Sequence, residues 1–245
     1  MTLRPLALAA SLVATLVVSL AAALPAAAAD KPIRVILVGD STMASKSGYG
    51  DAFCARFVAE VKCINLARGG RSSSSFRKEK RWDEVEALLR DGSAFSATYV
   101  LVQFGHNDQP GKGERSTDLA TEFPVNMARY AKEARALGGV PVLVTPLTRR
   151  SFKGAYLKDD LAPWAEATRH AAVQEKTALL DLNADSVAAV QAMGPDEANT
   201  LAVAPPPKAA ASIDANGVEV VGAPKSAFDY THVGAKGAEY FAKMV

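Results

Sequence analysis

The sequence contains few of the residues that build metal, redox or nucleic-acid sites. Its 245 residues include two cysteines and three histidines, and the formal net charge is only +2. The cysteines form no Cys-x-x-Cys motif and the histidines form no cluster, which argues against a structural zinc site. A charge balance so close to neutral argues against general nucleic-acid binding. We therefore expect a protein without a metal, a cofactor or a nucleic-acid partner.

Long hydrophobic runs are also scarce, and the one clear example stands at the start of the chain. Arg4 precedes the run "LALAASLVATLVVSLAAAL", and the small residues "PAAAAD" follow it. This order is typical of a secretory signal peptide, with a retained membrane anchor as the alternative. We expect residues 1–29 to be removed and residues 30–245 to form a single domain. The mature protein would then be secreted or periplasmic, with no membrane contact.

The two cysteines are Cys54 and Cys63. Export would carry them into an oxidising compartment, where a disulfide can form. Two separate buried thiols, which behave as small hydrophobic side chains, fit the sequence equally well. The sequence leaves this pairing open.

Apolar strand segments alternate with helical segments along most of the chain. The expected strands are "IRVILV" (33–38), "CINLA" (63–67), "TYVLVQF" (98–104), "VPVLVT" (140–145) and "ALLDLN" (178–183). Helical periodicity is expected at 48–61, 82–90, 122–137, 161–177 and 234–245. Continuous apolar strands between helices predict a parallel sheet covered on both faces, which is a three-layer α/β/α sandwich.

Residues 194–228 interrupt this alternation. They include a triple proline and show little periodicity, so we expect an irregular loop. Within it, "GVEVVG" (217–222) is predicted to form a small strand.

Polar residues follow three of the expected strands where each strand ends. Ser41 comes after the first, "ARGGRSSSSF" (67–76) after the second and "FGHND" (104–108) after the third. Parallel sheets bind ligands at this edge, so these loops are expected to form one site. A helix N-cap is the alternative role for Ser41, because a serine becomes a nucleophile only when a base accepts its proton.

Three histidines are candidates for that base. His170 lies in a predicted helix and is expected at the surface, while His106 stands at the right edge beside Asn107, which is the better hydrogen-bond donor. His232 follows Asp229 by three residues, a spacing that lets one turn place the carboxylate against the imidazole. We therefore favour His232, with a helix-capping turn as the alternative.

Four segments together resemble the conserved blocks of the SGNH (GDSL-type) hydrolases. They are "GDST" (39–42), "GGRS" (69–72), "GHND" (105–108) and "DYTH" (229–232), in the family order and across nearly the whole mature chain. The longer matches "GDSTMA", "GRSSSSF", "QFGHND" and "VTPLTRRSF" are similar to the rhamnogalacturonan acetylesterase branch. The Gly-x-Ser-x-Gly motif is absent around Ser41, which disfavours the α/β-hydrolase fold.

The resemblance implies a flavodoxin-like sheet and an esterase without a metal. It further implies a catalytic triad of Ser41, Asp229 and His232. The implied oxyanion hole consists of the Ser41 amide, the Gly70 amide and the Asn107 side chain.

Arginines at the same sheet edge indicate the substrate. Arg71, Arg149 and Arg150 have the geometry to bind uronate carboxylates. We expect a serine esterase that removes acetyl groups from acetylated pectin, foremost rhamnogalacturonan. The alternatives are an esterase, lipase or thioesterase acting on other acyl esters, and a non-catalytic carbohydrate-binding protein. The acetyl position and the oligomeric state stay open.

Overall fold

The computed structural model describes residues 31–206 and 228–245, together with the backbone of residues 211–213 and 219–221. The predicted signal peptide at 1–29 lies outside the described residues. No described helix has the length and apolar character required to cross a membrane.

The main sheet contains five parallel strands, flanked along the chain by helices. The described residues form nine strands in all, which are β1 (Ile33–Gly39), β2 (Val61–Asn65), β3 (Ala97–Gln103), β4 (Val140–Val144), β5 (Phe152–Lys153), β6 (Tyr156–Leu157), β7 (Ala178–Leu180), β8 (Ala211–Ile213) and β9 (Glu219–Val221). The main sheet has the order β2-β1-β3-β4-β7, while β5-β6 and β8-β9 are two antiparallel pairs. The helices are α1 (Gly50–Cys54), α2 (Ser75–Lys78), α3 (Arg81–Arg90), α4 (Phe123–Ala136), α5 (Ala162–Gln174), α6 (Leu182–Asn199) and α7 (Ala235–Phe241).

Alternate residues of each central strand point to opposite faces and build two cores. In β1, Ile36 and Val38 join a cluster with aromatic residues of α3 and α4, including Trp82 and Tyr130. Val35 and Leu37 join a second cluster with Phe53 of α1 and Phe241 of α7. Because both sheet faces are buried under helices, the predicted three-layer α/β/α sandwich with a parallel sheet is confirmed.

Several predicted elements are wrong in their extent. The closing helix expected over 234–245 ends at Phe241, and the strand expected over 63–67 spans Val61–Asn65. The helix expected over 48–61 ends at Cys54, and Cys54 forms a disulfide with Cys63 of β2, which decides the cysteine alternatives. The strand expected over 178–183 stops at Leu180, because Asp181 caps a new helix. Its side chain accepts a hydrogen bond from the Ala184 N–H, and α6 begins at Leu182.

The predicted loop at 194–228 is also partly structured. Helix α6 runs on to Asn199 across a break at Gly194, whose φ of 71° lies in the left-handed region that glycine adopts freely. The small strand expected within 217–222 is present as β9, which pairs with β8. Residues 207–210, 214–218 and 222–227 lie outside the described part of the chain.

Candidate active site

The turn after β1 holds Ser41 in a network of buried polar groups. The Thr42 N–H and hydroxyl both donate to Asp40 Oδ1, at 2.9 and 2.8 Å. This contact is an Asx turn, so Asp40 shapes the backbone around Ser41. Gln103, the last residue of β3, donates through Nε2 to Thr42 Oγ1 at 2.7 Å and accepts from the Tyr49 hydroxyl at 2.6 Å. The Ser41 turn is therefore tied to the central strands of the sheet.

A second loop presents Asp229 and His232 as a pair. Asp229 Oδ2 lies 2.8 Å from His232 Nδ1, while Asp229 Oδ1 accepts the backbone N–H groups of Thr231 and His232, each at 2.9 Å. Partial burial alone would raise the pKa of Asp229, but these hydrogen bonds outweigh it and lower the pKa below the usual value. The charged carboxylate holds the proton on Nδ1 and leaves Nε2 as an acceptor.

Ser47 connects these two parts of the site. The Val233 N–H donates to the Ser47 carbonyl at 3.0 Å, and the Ser47 hydroxyl donates to the Ser41 carbonyl at 2.8 Å. Among the described residues, no hydrogen bond joins Ser41 to the His232 ring. Such bonds are often long in free enzymes and shorten when substrate binds.

The "GGRS" and "GHND" loops pass beside the same serine. A Cβ placed on Gly69 would lie 3.7 Å from Ser41 Cβ, and Gly70 has a φ of +78°. Asn107 donates one Nδ2 hydrogen to the Arg71 carbonyl at 3.0 Å. Its amide carries a second N–H that the described residues leave free. The structure therefore places the "GGRS" loop against Ser41 and ties Asn107 to that loop.

Asp108 joins those two loops to each other. It accepts from the Ser73 hydroxyl at 2.6 Å, the Ser73 N–H at 3.0 Å and the Thr117 hydroxyl at 3.0 Å. Burial raises the pKa of Asp108 to about 6, although these donors favour its charged form.

Arg150 requires a correction. The sequence predicts that Arg150 binds substrate, but this prediction is wrong because its side chain is fully buried. Its Nη2 donates to the carbonyls of Asp229 and His232 at 2.8 and 2.7 Å, and its backbone N–H donates to the Tyr230 carbonyl at 2.9 Å. Burial lowers the pKa of Arg150 to about 10. Arg150 thus holds the Asp229–His232 loop in place and is not available to a polymer.

The other two predicted substrate-binding arginines also have partners within the chain. Arg149 lies 2.5 Å from Asp160 and donates to the Thr231 hydroxyl at 3.2 Å, with 14% of its side chain exposed. Arg71 pairs with Glu79 at 2.9 Å and keeps 33% of its side chain exposed. Of the three, Arg71 is the most accessible to a ligand.

The remaining histidines differ in environment. His170 is at the surface as expected, with 71% of its side chain exposed and Glu166 at 3.0 Å. His106 is buried, and its Nδ1 lies 3.4 Å from Asp40 Oδ2 beneath the Ser41 turn. Within the described residues, no group of three or more His, Cys, Asp or Glu side chains is arranged to hold a metal ion.

Comparison with known proteins identifies the family of this chain. Residues 37–238 match the GDSL-like Lipase/Acylhydrolase family. The chain belongs to this family. The GDSL-like protein is therefore a carboxylic ester hydrolase, and its resemblance to SGNH hydrolases of the rhamnogalacturonan acetylesterase type is confirmed. The alternative of a non-catalytic carbohydrate-binding protein is accordingly disfavoured.

Two relatives of this GDSL-like hydrolase are rhamnogalacturonan acetylesterases from different organisms. It is 32% identical over 223 residues to rhamnogalacturonan acetylesterase RhgT of Bacillus subtilis, covering 88% of each chain. It is 28% identical over 191 residues to a rhamnogalacturonan acetylesterase of Emericella nidulans, covering 68% of this chain and 74% of the relative.

Solved structures support the fold. Protein YxiM of Bacillus subtilis aligns with a TM-score of 0.65 at 23% identity, over 88% of this chain and 55% of YxiM. Axe2, an acetylxylan esterase from Geobacillus stearothermophilus, aligns with a TM-score of 0.57 at 15% identity, over 86% of this chain and 91% of Axe2.

Proposed function

We propose that Ser41, His232 and Asp229 form a catalytic triad that removes acetyl groups from a polysaccharide. The observation that carries this proposal is the Asp229–His232 pair, which Ser47 links to the Ser41 turn. A carboxylate that fixes the imidazole tautomer, next to a serine at a strand end, is the arrangement that makes a serine nucleophilic.

The reaction proceeds through an acetyl-enzyme. His232 Nε2 accepts the Ser41 proton while Ser41 Oγ forms a bond to the ester carbonyl carbon. The tetrahedral intermediate collapses, the bond to the sugar oxygen breaks, and His232 gives its proton to that oxygen. Water then attacks the acetyl-enzyme with His232 again as base, which releases acetate and restores Ser41.

The negative charge on the carbonyl oxygen needs donors that are already in place. The Ser41 N–H, the Gly70 N–H and the free Nδ2 hydrogen of Asn107 are the proposed donors. Such preorganised groups stabilise the transition state more than the ground state, because full charge develops on the oxygen only during reaction.

Acetylated rhamnogalacturonan in pectin is the proposed substrate. The names of two relatives support it, since both are rhamnogalacturonan acetylesterases. The partly exposed Arg71 is suited to a uronate carboxylate, and Tyr230, with 40% of its surface exposed beside His232, is suited to stacking on a sugar ring. A lipase or thioesterase acting on other acyl esters is the competing possibility.

Export of the mature chain is proposed as well. The apolar segment within residues 1–29 and the Cys54–Cys63 disulfide both fit a secreted or periplasmic protein. The mass of the protein recovered outside the cytoplasm tests this: we expect an N-terminus near Asp30, and a retained Met1 would contradict cleavage.

Acetate release from a panel of polymers tests the substrate. The panel comprises acetylated rhamnogalacturonan, acetylated homogalacturonan and acetylxylan, with the Ser41→Ala variant as the control for chemical deacetylation. We expect the highest kcat/KM on rhamnogalacturonan. Equal values on all three polymers would leave a general acetylesterase, and release only from long-chain or thioester substrates would overturn the proposal.

A further inference from the structure

The segment after the "GHND" loop folds back toward the site. It contains a single 3₁₀ turn, Gly113–Arg115. The Ser116 hydroxyl donates to the Gln109 carbonyl at 2.9 Å, and the Thr117 N–H donates to the Asp108 carbonyl at 2.9 Å. These bonds close the segment into a compact loop. The Arg115 side chain of this loop reaches back to Asn107.

Arg115 contacts Gly70 and Asn107, which are the two proposed oxyanion donors that lie outside the Ser41 turn. Its Nη1 donates to the Gly70 carbonyl and to Asn107 Oδ1, each at 3.2 Å, and its Nε donates to the Lys112 carbonyl at 3.2 Å. The guanidinium therefore occupies acceptor atoms of Gly70 and Asn107 and leaves their N–H groups for another partner.

This contact decides which way the Asn107 amide faces. An asparagine amide presents a donor on one side and an acceptor on the other, and rotation about its terminal bond exchanges them. A guanidinium only donates, so Oδ1 must face Arg115, while the Arg71 carbonyl only accepts and holds Nδ2 at 3.0 Å. A reversed amide would point a partial negative charge at the oxyanion.

We propose that Arg115 is a positioning residue that fixes the orientation of Asn107 in the oxyanion hole. This inference rests on the proposed esterase function. Arg115 acts through Asn107 and touches no reacting atom. Its charge-assisted bond to Oδ1 also polarises the amide and strengthens donation from Nδ2.

A double-mutant cycle on a small neutral ester tests the inference. With an aryl acetate as substrate, Arg115→Met should lower kcat roughly tenfold with little change in KM, less than the 10²–10³-fold cost of a lost oxyanion donor. The double variant Arg115→Met/Asn107→Ala should be within about twofold of Asn107→Ala alone, since one group acts through the other. Arg129→Met, an exposed arginine paired with Glu133 on α4, is the matched control and should equal the wild type.

The outcomes separate the two claims. If the wild type releases no acetate, the proposed function fails. If the wild type is active but Arg115→Met keeps its kcat, or the two losses multiply in the double variant, only the positioning role of Arg115 is overturned. If Arg115→Met does not fold, Arg115→Lys, which keeps the charge but not the planar fork, takes its place in the same cycle.

Discussion

Two regions of the site are attached to the fold in different ways. The oxyanion side, formed by residues 40–44, 69–73 and 105–108, follows three adjacent strands. Buried hydrogen bonds tie it to Gln103 of β3 and tie Ser73 to Asp108. The base side, residues 228–233, is reached far along the chain and is partly exposed, with 34% of the His232 side chain accessible. Hydrogen bonds from Arg149 and Arg150, and the bond between the Val233 N–H and the Ser47 carbonyl, hold it in place. The sheet itself thus preorganises one side, while a few individual contacts place the other.

The largest expected effect comes from removing the base. His232→Ala should lower kcat/KM by on the order of 10⁴–10⁶, because Ser41 then loses its proton acceptor. Initial rates on an aryl acetate measure the loss. The exposed His170→Ala is the matched control and should be fully active; an active His232→Ala variant would require a base elsewhere.

On the oxyanion side, Asn107→Ala removes one donor. We expect a loss of roughly 10²–10³, carried by kcat, because the bond to Nδ2 is strongest in the transition state. Steady-state kinetics on the same ester separate the two constants. A rise confined to KM would make Asn107 a substrate-binding residue instead.

The two sides should also contribute to the free energy of unfolding with opposite pH dependence, through Asp108 on the oxyanion side and Asp229 on the base side. Folding raises the pKa of Asp108 to about 6, so folding favours its protonated form. The free energy of unfolding should therefore increase as pH falls from 7 to 4, by about 2 kcal/mol relative to Asp108→Asn. Denaturant titrations of both proteins at pH 7 and pH 4 measure this difference.

For Asp229 the sign is reversed, because folding lowers its pKa. Its stabilising contribution is present above the unfolded-state value near 3.9 and is lost as pH falls through the lower folded value. Asp229→Asn should therefore flatten the acid limb of stability, whereas Asp108→Asn should steepen it. The same slope in both variants would contradict the contrast between the two carboxylates.

Arg150→Met tests how the Asp229–His232 loop is held in place. It leaves the carbonyls of Asp229 and His232 without their donor, and we expect roughly a tenfold lower kcat from a misplaced imidazole. Arg34→Met is the matched control. Arg34 is also fully buried, but it lies at the start of β1 and binds the Leu88 and Asp91 carbonyls. Both variants should lower the melting temperature, and only Arg150→Met should lower activity per folded molecule. Equal kcat values in the two variants would remove the positioning role of Arg150.

The smallest effect on kinetics is expected from the partly exposed Arg71. Arg71→Ala should raise KM for acetylated rhamnogalacturonan a few-fold, since an exposed charge pair contributes about 1 kcal/mol or less. Added salt should reproduce part of this rise in the wild type and not in the variant. A neutral aryl acetate serves as the control substrate, and a matching loss on it would indicate damage to the site instead.

The sequence predicted the parts of this protein whose signals are local. Apolar strands such as β1 and β3, and the Asp229–His232 spacing, can be read directly from neighbouring residues. Helix α6 was missed because "ALLDLN" continues the apolar pattern of a strand, although Asp181 gave a helix-capping signal. Arg150 was misplaced because its partners lie about 80 residues away, and nothing near it indicates burial. Arg115 was overlooked because nothing in the local sequence shows that its side chain reaches Gly70, which lies 45 residues earlier.

Reaction with a serine-directed fluorophosphonate, followed by mass mapping of the labelled peptide, tests the central claim most directly. The reagent forms a bond only to a serine whose proton is taken by a base. We expect the label on Ser41 in the wild type, and a large decrease in the labelling rate in His232→Ala. A label on another serine, or labelling of Ser41 at an unchanged rate without His232, would contradict the proposed triad.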